Sequence, residues 1–518
     1  MRHILALDAG TGSGRAVIFD ENGNQVAAAS REWFHKNDPR YPGSMDFDRN
    51  GNWELLVACI RQACAQVPNL DIAAISTTSM GEAFVVYDEK GDEVWACANV
   101  DARAIEQVQA LRSADPGLEH RLYLRTGQTF ALGAAPRLLW IKQHAPELYQ
   151  RARSISMLND WIAYRLGAPI VVEPSNSGTA GVFNLFARTW DIELAEECGI
   201  NPAIFSAPVH HSGSIIGTVS QIAANQTGLP KGIPIVVGGR DAQLGSIGVG
   251  AVLPGQAAVF GGTFWQQEVN LGEPISDPSG RIRMDFHAVP GVWQAETIVF
   301  FPGFAARWFR DAICPDIKTQ AEQNHRDPYE ILEEMASNVP AGSNGIIPIF
   351  SDAMNYSHWR HAAPSFLNLS VDPSVASRAA MFRSLEENAA IVTLANLRRI
   401  SELTHEFPSH VIFASGASKG PLWCQILADV LQIPVHTRVV KEATALGAAI
   451  CAGVGIGLYS GFSEAVGQVV REERVYQPDS QKAAVYQELF ERWLAAYPIQ
   501  LELADRGVTS HLWRAPGE

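Results

Sequence analysis

Cysteine is sparse in this sequence, and its seven copies show no pattern that would indicate a structural site. They are scattered over 518 residues, and none of them forms a C-x-x-C pair. Disulfide frameworks and zinc sites both depend on recurrent cysteine spacings, so the sequence predicts neither. Dispersed free thiols are typical of the reducing cytosol, and we therefore expect a cytoplasmic protein.

Long hydrophobic runs and an excess of positive charge are also missing. The apolar run within the first ten residues, MRHILALDAG, is too short for a signal peptide. The most apolar window, 443–459, is interrupted by glycines and is too short for a membrane span. The net charge is −15, whereas proteins that bind nucleic acids need a basic face. We expect no membrane segment and no nucleic-acid partner, and the sequence leaves a monomer and a homodimer both open.

The phosphate-binding motif G-x-x-x-x-G-K-[ST] is absent as well, which excludes a P-loop nucleotide site. Two other glycine turns are present, and each follows a strand-like apolar run. The run Ile4–Leu7 leads through Asp8 into the turn 10–15, and the run Gln256–Phe260 leads into the turn 261–263. Backbone N–H groups of such turns can bind phosphate oxygens, although each turn taken alone is more often an ordinary turn.

The length and the order of the predicted elements indicate two similar halves. A chain of 518 residues suggests two to three domains, and 47% hydrophobic with 18% charged residues is typical of a globular protein. Both halves open with β-hairpin patterns followed by helices and strands, which predicts an α/β fold built by duplication, with a cleft between the halves. We predict domains at 1–250 and 251–478, a helical appendage at 479–518, and a crossover in the glycine-rich stretch 245–255.

Two aspartates at predicted strand ends could support phosphoryl transfer. Asp241 follows the strand-like run Ile233–Val237, where a carboxylate could take the proton of an attacking hydroxyl group. The alternative for Asp241 is a surface ion pair with Arg240. Asp8 could hold Mg²⁺ through water, or it could simply cap a turn.

Other polar groups accompany the glycine turns. Thr11 and Ser13 add hydroxyl groups to the first turn, and Arg15 adds a cation for phosphate oxygens. A third turn, 416–420, follows the strand-like run Val411–Ala414 and precedes a helix. It could bind an adenosine or a phosphate at the helix N-terminus, or it could be an ordinary loop.

Polar residues of the first half are candidates for contacting a sugar. Glu82, Asp101 and Arg103 lie near predicted strand ends. They could hydrogen-bond to sugar hydroxyl groups, or they could be charged side chains on the protein surface. Trp265 beside the second turn is a candidate pocket wall, whereas most other tryptophans are expected in the core. Each of these residues taken singly is a weak indication.

Six ordered segments together resemble the FGGY family of carbohydrate kinases, which belongs to the actin-like ATPase superfamily. The segments are DAGTGSGR (8–15), GGRDAQ (238–243), GGT (261–263), PGFAARWFRD (302–311), GASKG (416–420) and EATALGAAI (442–450). The resemblance extends over essentially the whole chain. It implies an α/β fold of two duplicated actin-like/ribonuclease H-like domains, with a nucleotide cleft between them, the substrate on the first domain and ATP mainly on the second.

The resemblance also implies roles for individual residues. Asp241 would be the catalytic base, and Asp8 and Asp241 would hold Mg²⁺. The residues expected to bind ATP are Thr11, Gly12, Ser13, Arg15, Gly262, Thr263, Gly303, Gly416, Ala417 and Lys419. The residues expected to contact the sugar-like substrate are Gly81, Glu82, Asp101, Arg240, Gln243 and Trp265.

Further segments are similar to those family members that phosphorylate the primary hydroxyl of 4,5-dihydroxypentane-2,3-dione, the linear precursor of a quorum signal. They are WACANVDARA (95–104), GGTFWQQ (261–267), IPIFSDAMNYSHWRHAAPSFLNLS (347–370), FRSLEENAAIV (382–392) and HLWRAPG (511–517). The runner-up substrates are a pentulose (xylulose or ribulose) or a small polyol (erythritol or glycerol). Two functions of other classes are a catalytically silent sugar sensor and an ATPase with a protein partner.

Two positions depart from the family pattern. Many relatives carry a basic or histidine side chain at the turn after the strand Ile72–Thr77, where this sequence has Gly81. Conversely, Arg240 stands directly before the catalytic aspartate, where a small residue is usual. We hypothesise that Arg240 reaches into the space beside Gly81 and contacts a carbonyl or hydroxyl group of the substrate.

Overall fold

The structure of the protein is a computed structural model that describes residues 2–440 and 442–515. Three predicted segments extend beyond the described residues. They are the first domain at residue 1, the appendage at residues 516–518 and the HLWRAPG segment at residues 516 and 517. The helices and strands up to residue 249 are, in chain order, β1 (His3–Ala9), β2 (Ser13–Asp20), β3 (Gln25–Glu32), α1 (Arg49–Ala65), β4 (Ile72–Ser79), β5 (Phe84–Tyr87), β6 (Glu93–Cys97), α2 (Ile105–Ala114), α3 (Leu118–Thr126), α4 (Ala134–His144), α5 (Pro146–Arg151), β7 (Ser154–Met157), α6 (Leu158–Leu166), α7 (Pro174–Ser177), β8 (Phe183–Asn184), β9 (Thr189–Trp190), α8 (Ile192–Glu197), β10 (Ile215–Thr218), α9 (Gln221–Thr227), β11 (Pro234–Arg240) and α10 (Asp241–Val249).

The second half contains a comparable series. Its helices and strands are β12 (Ala257–Gly261), β13 (Trp265–Leu271), β14 (Arg283–Phe286), β15 (Trp293–Val299), α11 (Pro302–Trp308), α12 (Pro315–Asn324), α13 (Pro328–Ser337), β16 (Ile347–Ile349), β17 (Arg360–His361), β18 (Ser365–Leu367), α14 (Arg378–Thr404), β19 (Val411–Ala414), α15 (Pro421–Leu431), β20 (Val435–Arg438), α16 (Ala443–Gly455), α17 (Phe462–Val469), β21 (Glu472–Tyr476), α18 (Ala483–Asp505) and β22 (Trp513–Arg514).

The first half of the chain forms a six-stranded mixed sheet in the order β10-β11-β4-β1-β2-β3. Strands β1, β2 and β3 make the antiparallel meander that the sequence predicts, while β4 pairs parallel to β1 and β11 pairs parallel to β4. Leu5 and Leu7 of β1 are buried on one face of the sheet, and Ile4 and Ala6 are buried on the other. Both faces of this sheet are therefore covered, as a continuous apolar strand requires.

The second half repeats this topology in a seven-stranded sheet of order β14-β15-β13-β12-β19-β20-β21. Strands β12, β13 and β15 form its antiparallel meander, β19 pairs parallel to β12, and β20 pairs parallel to β19. Each sheet ends on an antiparallel edge strand beyond the parallel ones, β10 in the first sheet and β21 in the second. The shared order confirms the predicted α/β fold and the predicted duplication.

Helices α10 and α16 pack against each other and join the two halves. A Cβ atom on Gly248 would lie 1.9 Å from the carbonyl oxygen of Ala443, and one on Gly447 would lie 1.9 Å from that of Leu244. The glycines therefore allow two helix backbones to touch. The predicted crossover at 245–255 is wrong for residues 245–249, which belong to α10, because these glycines are needed for helix packing and not for a loop.

Helix α18, which runs from Ala483 to Asp505, lies within the segment 479–518 of the predicted appendage. After this helix, β22 pairs with β17, and Trp513 packs against the rings of Phe300 and Trp359. Phe300 in turn contacts Phe264 beside the second glycine turn, so the chain end supports that turn. Within the described residues, we find no helix with both the length and the apolar character needed to cross a lipid bilayer.

Candidate active site

Asp8 and Asp241 lie at one edge of the first sheet because three neighbouring parallel strands end there. Asp8 lies in β1 opposite Thr78 of β4, and Arg240, the last residue of β11, lies opposite Ser79. Strand β4 therefore separates the two aspartates, and their strands are about 10 Å apart. The carboxyl edge of parallel strands is where open α/β sheets bind ligands.

Asp241 is the first residue of α10, and its carboxylate accepts a hydrogen bond of 2.8 Å from the N–H of Ala242. The side chain keeps 43% of its area exposed, so a ligand can reach it. Desolvation by the surrounding protein raises the pKa of Asp241 to about 6, although the Arg240 guanidinium acts to lower it. A carboxylate with this pKa is ionised at neutral pH and basic enough to accept a proton.

Asp8 has the properties expected of a cation ligand. Its Oδ1 is buried and accepts no hydrogen bond from any described residue. Burial, together with the nearby Asp241 carboxylate, raises the pKa of Asp8 to about 7, while Arg15 acts to lower it. A divalent cation between two such carboxylates would relieve their repulsion. The described residues hold no set of three or more His, Cys, Asp or Glu side chains arranged to bind a metal alone, and Mg²⁺ usually keeps several water ligands.

The first glycine turn presents an accessible backbone. It is closed by a 3.0 Å hydrogen bond from the N–H of Gly10 to the carbonyl of Ser13. Trp33 Nε1 donates to the carbonyl groups of Gly10 and Thr11, which fixes the inner side of the turn. Thr11 and Gly12 are exposed, and apart from the neighbours of Gly12 in the chain no atom of a described residue lies within 4 Å of the place where a Cβ on Gly12 would stand. The outer side of the turn therefore has room for a phosphate group.

Arg15 links the first turn to the second half of the molecule. Its Nη1 lies 3.0 Å from Oε2 of Glu442, the residue that precedes α16. In the same helix, Thr444 Oγ1 donates a 3.2 Å hydrogen bond to the carbonyl oxygen of Asp241. The start of α16 thus contacts both the first glycine turn and the predicted catalytic aspartate.

The second glycine turn is supported from behind by the start of α11. The N–H of Gly262 donates to the carbonyl of Phe264 at 3.0 Å, which closes the turn. A Cβ on Gly303 would lie only 2.4 Å from the carbonyl oxygen of Gly262, so no larger residue fits at that position without a shift of the turn. Gly262 and Gly303, which the family resemblance assigns to the nucleotide site, thus lie against each other although they belong to separate segments of the chain.

A cavity of about 420 Å³ opens beside the second turn and is large enough for part of a nucleotide. Predicted ATP-binding residues of the second half line this cavity together, namely Gly262, Thr263, Gly303, Gly416, Ala417 and Lys419. The predicted residues of the first turn do not line it. Ser13 and Arg15 instead line a groove with Glu442.

Two buried glutamates of the nucleotide cavity were missed by sequence reasoning. Glu333 accepts a hydrogen bond from the N–H of Leu422 at 3.4 Å, and burial raises its pKa to about 7. Both carboxyl oxygens of Glu386 lack a hydrogen-bond partner among the described residues, and burial together with Glu333 raises its pKa well above the usual range. The one sequence signal was an acidic residue on an otherwise apolar face of the predicted helix Phe382–Ile400.

Arg240 fills the space beside Gly81, as the sequence hypothesis requires. A Cβ on Gly81 would lie 2.8 Å from Arg240 Nε. Nη1 of Arg240 donates to Asp285 at 3.1 Å and to Glu296 at 2.8 Å, whereas Nε lies 4.0 Å from Asp241 and has no hydrogen-bond partner among the described residues. Arg240 is only 4% exposed, so its contact with Asp241 is not the surface ion pair that the alternative describes. Its Nε–H is the buried donor that remains for a ligand.

Glu82 and Gln243 lie close to the same place. Glu82 adopts the left-handed conformation with a φ of 57°, and its carboxylate accepts a 2.6 Å hydrogen bond from Arg283. Gln243 follows Asp241 in the first turn of α10, and neither atom of its buried amide group has a hydrogen-bond partner among the described residues. Buried polar groups are almost always hydrogen-bonded in native proteins, and a bound substrate would supply the missing partners.

Two predicted substrate residues have structural roles instead. The Asp101 carboxylate is completely buried and accepts hydrogen bonds from the N–H of Met45 at 2.7 Å and from Arg103 Nε at 2.8 Å. Trp265 is also completely buried, and it packs against Phe413 and Trp423 below the second turn. We therefore correct both predictions, because the Asp101 carboxylate already has its hydrogen-bond partners in the protein and the Trp265 ring is enclosed by other aromatic rings.

The two halves of the chain also match a known protein family. Residues 3–248 match the N-terminal domain of the FGGY family of carbohydrate kinases, and residues 272–456 match its C-terminal domain. The chain belongs to this family. It is an ATP-dependent kinase, with ATP and a sugar-like molecule as its substrates.

Several relatives of this FGGY kinase are similar over nearly their whole length. An autoinducer-2 kinase of Escherichia coli K12 is 51% identical over 99% of this chain and 98% of its own. Autoinducer-2 kinases of Yersinia enterocolitica and Photorhabdus laumondii are 51% and 49% identical, over 99% and 100% of this chain and 98% of their own.

Solved structures agree with the FGGY fold. A xylulose kinase from Rhodospirillum rubrum superposes with a TM-score of 0.86 at 25% identity, covering 97% of this chain and 99% of its own. A Plasmodium falciparum glycerol kinase with ADP superposes with a TM-score of 0.83 at 20% identity, over 96% and 98% of the two chains. At that identity the second likeness shows the fold alone.

The FGGY kinase also buries charged residues that the sequence analysis did not single out. Arg283 and Asp285 of β14 and Glu296 of β15 are at most 6% exposed, and they contact Glu82 and Arg240 of the first half. In the sequence, Arg283 and Asp285 stand two apart in a short strand, so they point to the same face. That alternation of charged residues in a buried strand was the available signal.

Proposed function

We propose that this FGGY kinase transfers the γ-phosphoryl group of ATP to the primary hydroxyl of 4,5-dihydroxypentane-2,3-dione. The observation that carries the proposal is the identity of about half of all residues, over nearly the full length, with relatives named autoinducer-2 kinase. The substrate-side groups fit a small polar molecule, since Arg240 Nε and the Gln243 amide are buried polar groups without partners among the described residues.

In the proposed reaction, Asp241 takes the proton of the primary hydroxyl while the new O–P bond forms and the bond from the γ-phosphorus to the bridging oxygen of ATP breaks. The exposed part of its carboxylate and its pKa of about 6 support this role. Mg²⁺ held by Asp8 and Asp241 would neutralise charge on the transferring phosphoryl group. The unpartnered Oδ1 of Asp8 supports its share in holding the ion.

ATP would lie with its base end in the 420 Å³ cavity of the second half and its phosphates between the two glycine turns. The open outer side of Gly12 supports this position for the first turn. Arg15 lies beside that turn, where a guanidinium can contact phosphate oxygens.

We also propose a cytoplasmic location and the domain division 1–250, 251–478 and 479–518. The first sheet ends with residue 240 and the second begins with residue 257, which supports a boundary near residue 250. The dispersed cysteines support the location.

A pentulose or small polyol is the second candidate substrate. The observation in its favour is the pair Gly81 and Arg240, which changes the groups beside the acceptor relative to the family pattern. The test is Mg²⁺-dependent ATP turnover with dihydroxypentanedione, xylulose, ribulose, erythritol and glycerol. We expect the highest kcat/KM for the dione; a clear preference for a pentulose or a polyol would overturn the substrate proposal and leave the kinase assignment intact.

A further inference from the structure

Three buried charged residues and the partly exposed Glu82 form an alternating chain that crosses between the two halves of the molecule twice. Arg240 of the first half donates to Glu296 of the second at 2.8 Å. Glu296 also accepts from Arg283 at 3.3 Å, and Arg283 donates to Glu82 of the first half at 2.6 Å. The two ends of the chain, Arg240 and Glu82, flank Gly81 at the proposed acceptor site.

Glu296 is the central member of this chain. Its side chain has no exposed area, and each of its carboxyl oxygens faces a different guanidinium, Oε2 that of Arg240 and Oε1 that of Arg283. Burial alone would raise the pKa of Glu296, but the two guanidinium groups outweigh burial and hold the pKa below its usual range. The two guanidinium groups therefore favour the ionised form of Glu296.

Glu268 provides an internal comparison, because it stands directly opposite Glu296 on the adjacent antiparallel strand. It is equally buried, yet neither of its carboxyl oxygens accepts a hydrogen bond from a described residue. Burial and the Glu296 carboxylate raise the pKa of Glu268 well above its usual range. The protonated Glu268 can donate a hydrogen bond to Glu296 and contributes no charge of its own.

We propose that Glu296 is a positioning residue that holds Arg240 and, through Arg283, Glu82 in place on both sides of the acceptor. The inference rests on the proposed function, in which Arg240 and Glu82 contact the acceptor. A buried guanidinium that loses one of its two carboxylate partners moves toward the other or draws in water, so Nε of Arg240 would leave its place beside Gly81. The second half of the chain therefore sets the geometry of an acceptor site whose contact residues belong to the first half.

The test compares Glu296→Gln with the matched control Glu268→Gln. Both changes replace a buried carboxyl group by an amide of the same shape on neighbouring strands. We expect Glu296→Gln to raise KM for the acceptor by roughly 30-fold or more, with little change in KM for ATP. Glu268→Gln should leave both KM values close to those of the wild type, because the amide replaces a group that is already neutral.

A second variant, Asp285→Asn, covers the case that Glu296→Gln does not fold. It removes one carboxylate partner of Arg240 at 3.1 Å and leaves the pair of Glu82 and Arg283 intact. We expect a smaller rise in acceptor KM, again without a change in KM for ATP. Equal acceptor KM values in folded Glu296→Gln or Asp285→Asn and in the wild type would overturn the inference.

The acceptor in all assays is the substrate that the wild type turns over best. If the wild type prefers a pentulose over the dione, the proposed substrate fails, while the effect of Glu296→Gln on that pentulose still decides the inference. Circular dichroism and thermal melting of each variant identify any loss of fold.

Discussion

Nε of Arg240 occupies the position that a side chain at residue 81 would need, since a Cβ on Gly81 would stand 2.8 Å from it. The two residues come from different strands of the first sheet, one after β4 and one at the end of β11. Glycine at position 81 therefore leaves the space that the Arg240 side chain occupies, and a larger residue there would displace Arg240.

Replacing Gly81 by Ala should displace Arg240 Nε. We expect the acceptor KM to rise about tenfold, which corresponds to about 1.4 kcal/mol, while KM for ATP stays the same. Steady-state kinetics with each substrate varied in turn measure the KM for the acceptor and the KM for ATP separately. A double-mutant cycle with Arg240→Ala is the control, because the cost of Gly81→Ala should vanish once the guanidinium is gone. Unchanged acceptor KM in Arg240→Ala would contradict the role of Arg240.

The two glutamates of the nucleotide cavity predict a pH dependence of ATP binding. Glu333 has a pKa raised to about 7 by burial, so it is neutral below that pH and becomes anionic as the pH rises through it. A new negative charge in the cavity opposes an anionic nucleotide, and KM for ATP should increase above pH 7 and level off below it. Glu333→Gln should flatten this profile; an unaltered profile in that variant would show that another group is responsible.

A glycine at the contact between α10 and α16 and an exposed glycine of α17 should respond in opposite ways to substitution by alanine. Gly248→Ala would place a Cβ 1.9 Å from the Ala443 carbonyl oxygen, and this overpacking should destabilise the protein by about 1–3 kcal/mol. Gly467 of α17 is exposed, and apart from its own helix backbone and chain neighbours no atom of a described residue lies within 4 Å of its Cβ position, so Gly467→Ala should be stabilising by about 1 kcal/mol through helix propensity. Thermal melting should thus show a lower midpoint for the first variant and a higher one for the second.

The support of the second glycine turn by α11 predicts a nucleotide-specific defect. In Gly303→Ala, the added Cβ would lie 2.4 Å from the Gly262 carbonyl oxygen and push the turn toward the cavity. We expect a higher KM for ATP and a lower kcat, with the acceptor KM little changed. A variant whose only change is in acceptor KM would show that this turn does not bind phosphate.

The sequence was informative where a local pattern decides the structure. The apolar run Ile4–Leu7 and the run Val411–Ala414 are buried strands, and the glycine turns after the strands stand at the cleft, because these features depend on neighbouring residues along the chain. Glycines 245 and 248 were misread as loop residues, because a glycine that permits close helix packing has the same local signature as one that breaks a helix.

The buried charges could not be predicted in the same way. Asp101 and Arg103 resembled surface charges or sugar contacts, and only their separation from solvent and their mutual hydrogen bonds show a structural pair. Glu296 and Glu268 occur in separate strands, and the guanidinium groups beside Glu296 come from residues 240 and 283. Such long-range pairing is a property of the folded chain and leaves no periodic signal in the sequence.

The account centres on Asp241 as the base in phosphoryl transfer, and Asp241→Asn tests it most directly. The measurement is Mg²⁺-dependent ATP turnover with the preferred acceptor, together with calorimetric binding of that acceptor to the same variant. We predict that turnover falls by about 100-fold or more, the typical contribution of a general base, while acceptor binding persists. Turnover close to that of the wild type, in a variant that binds the acceptor normally, would contradict the assignment.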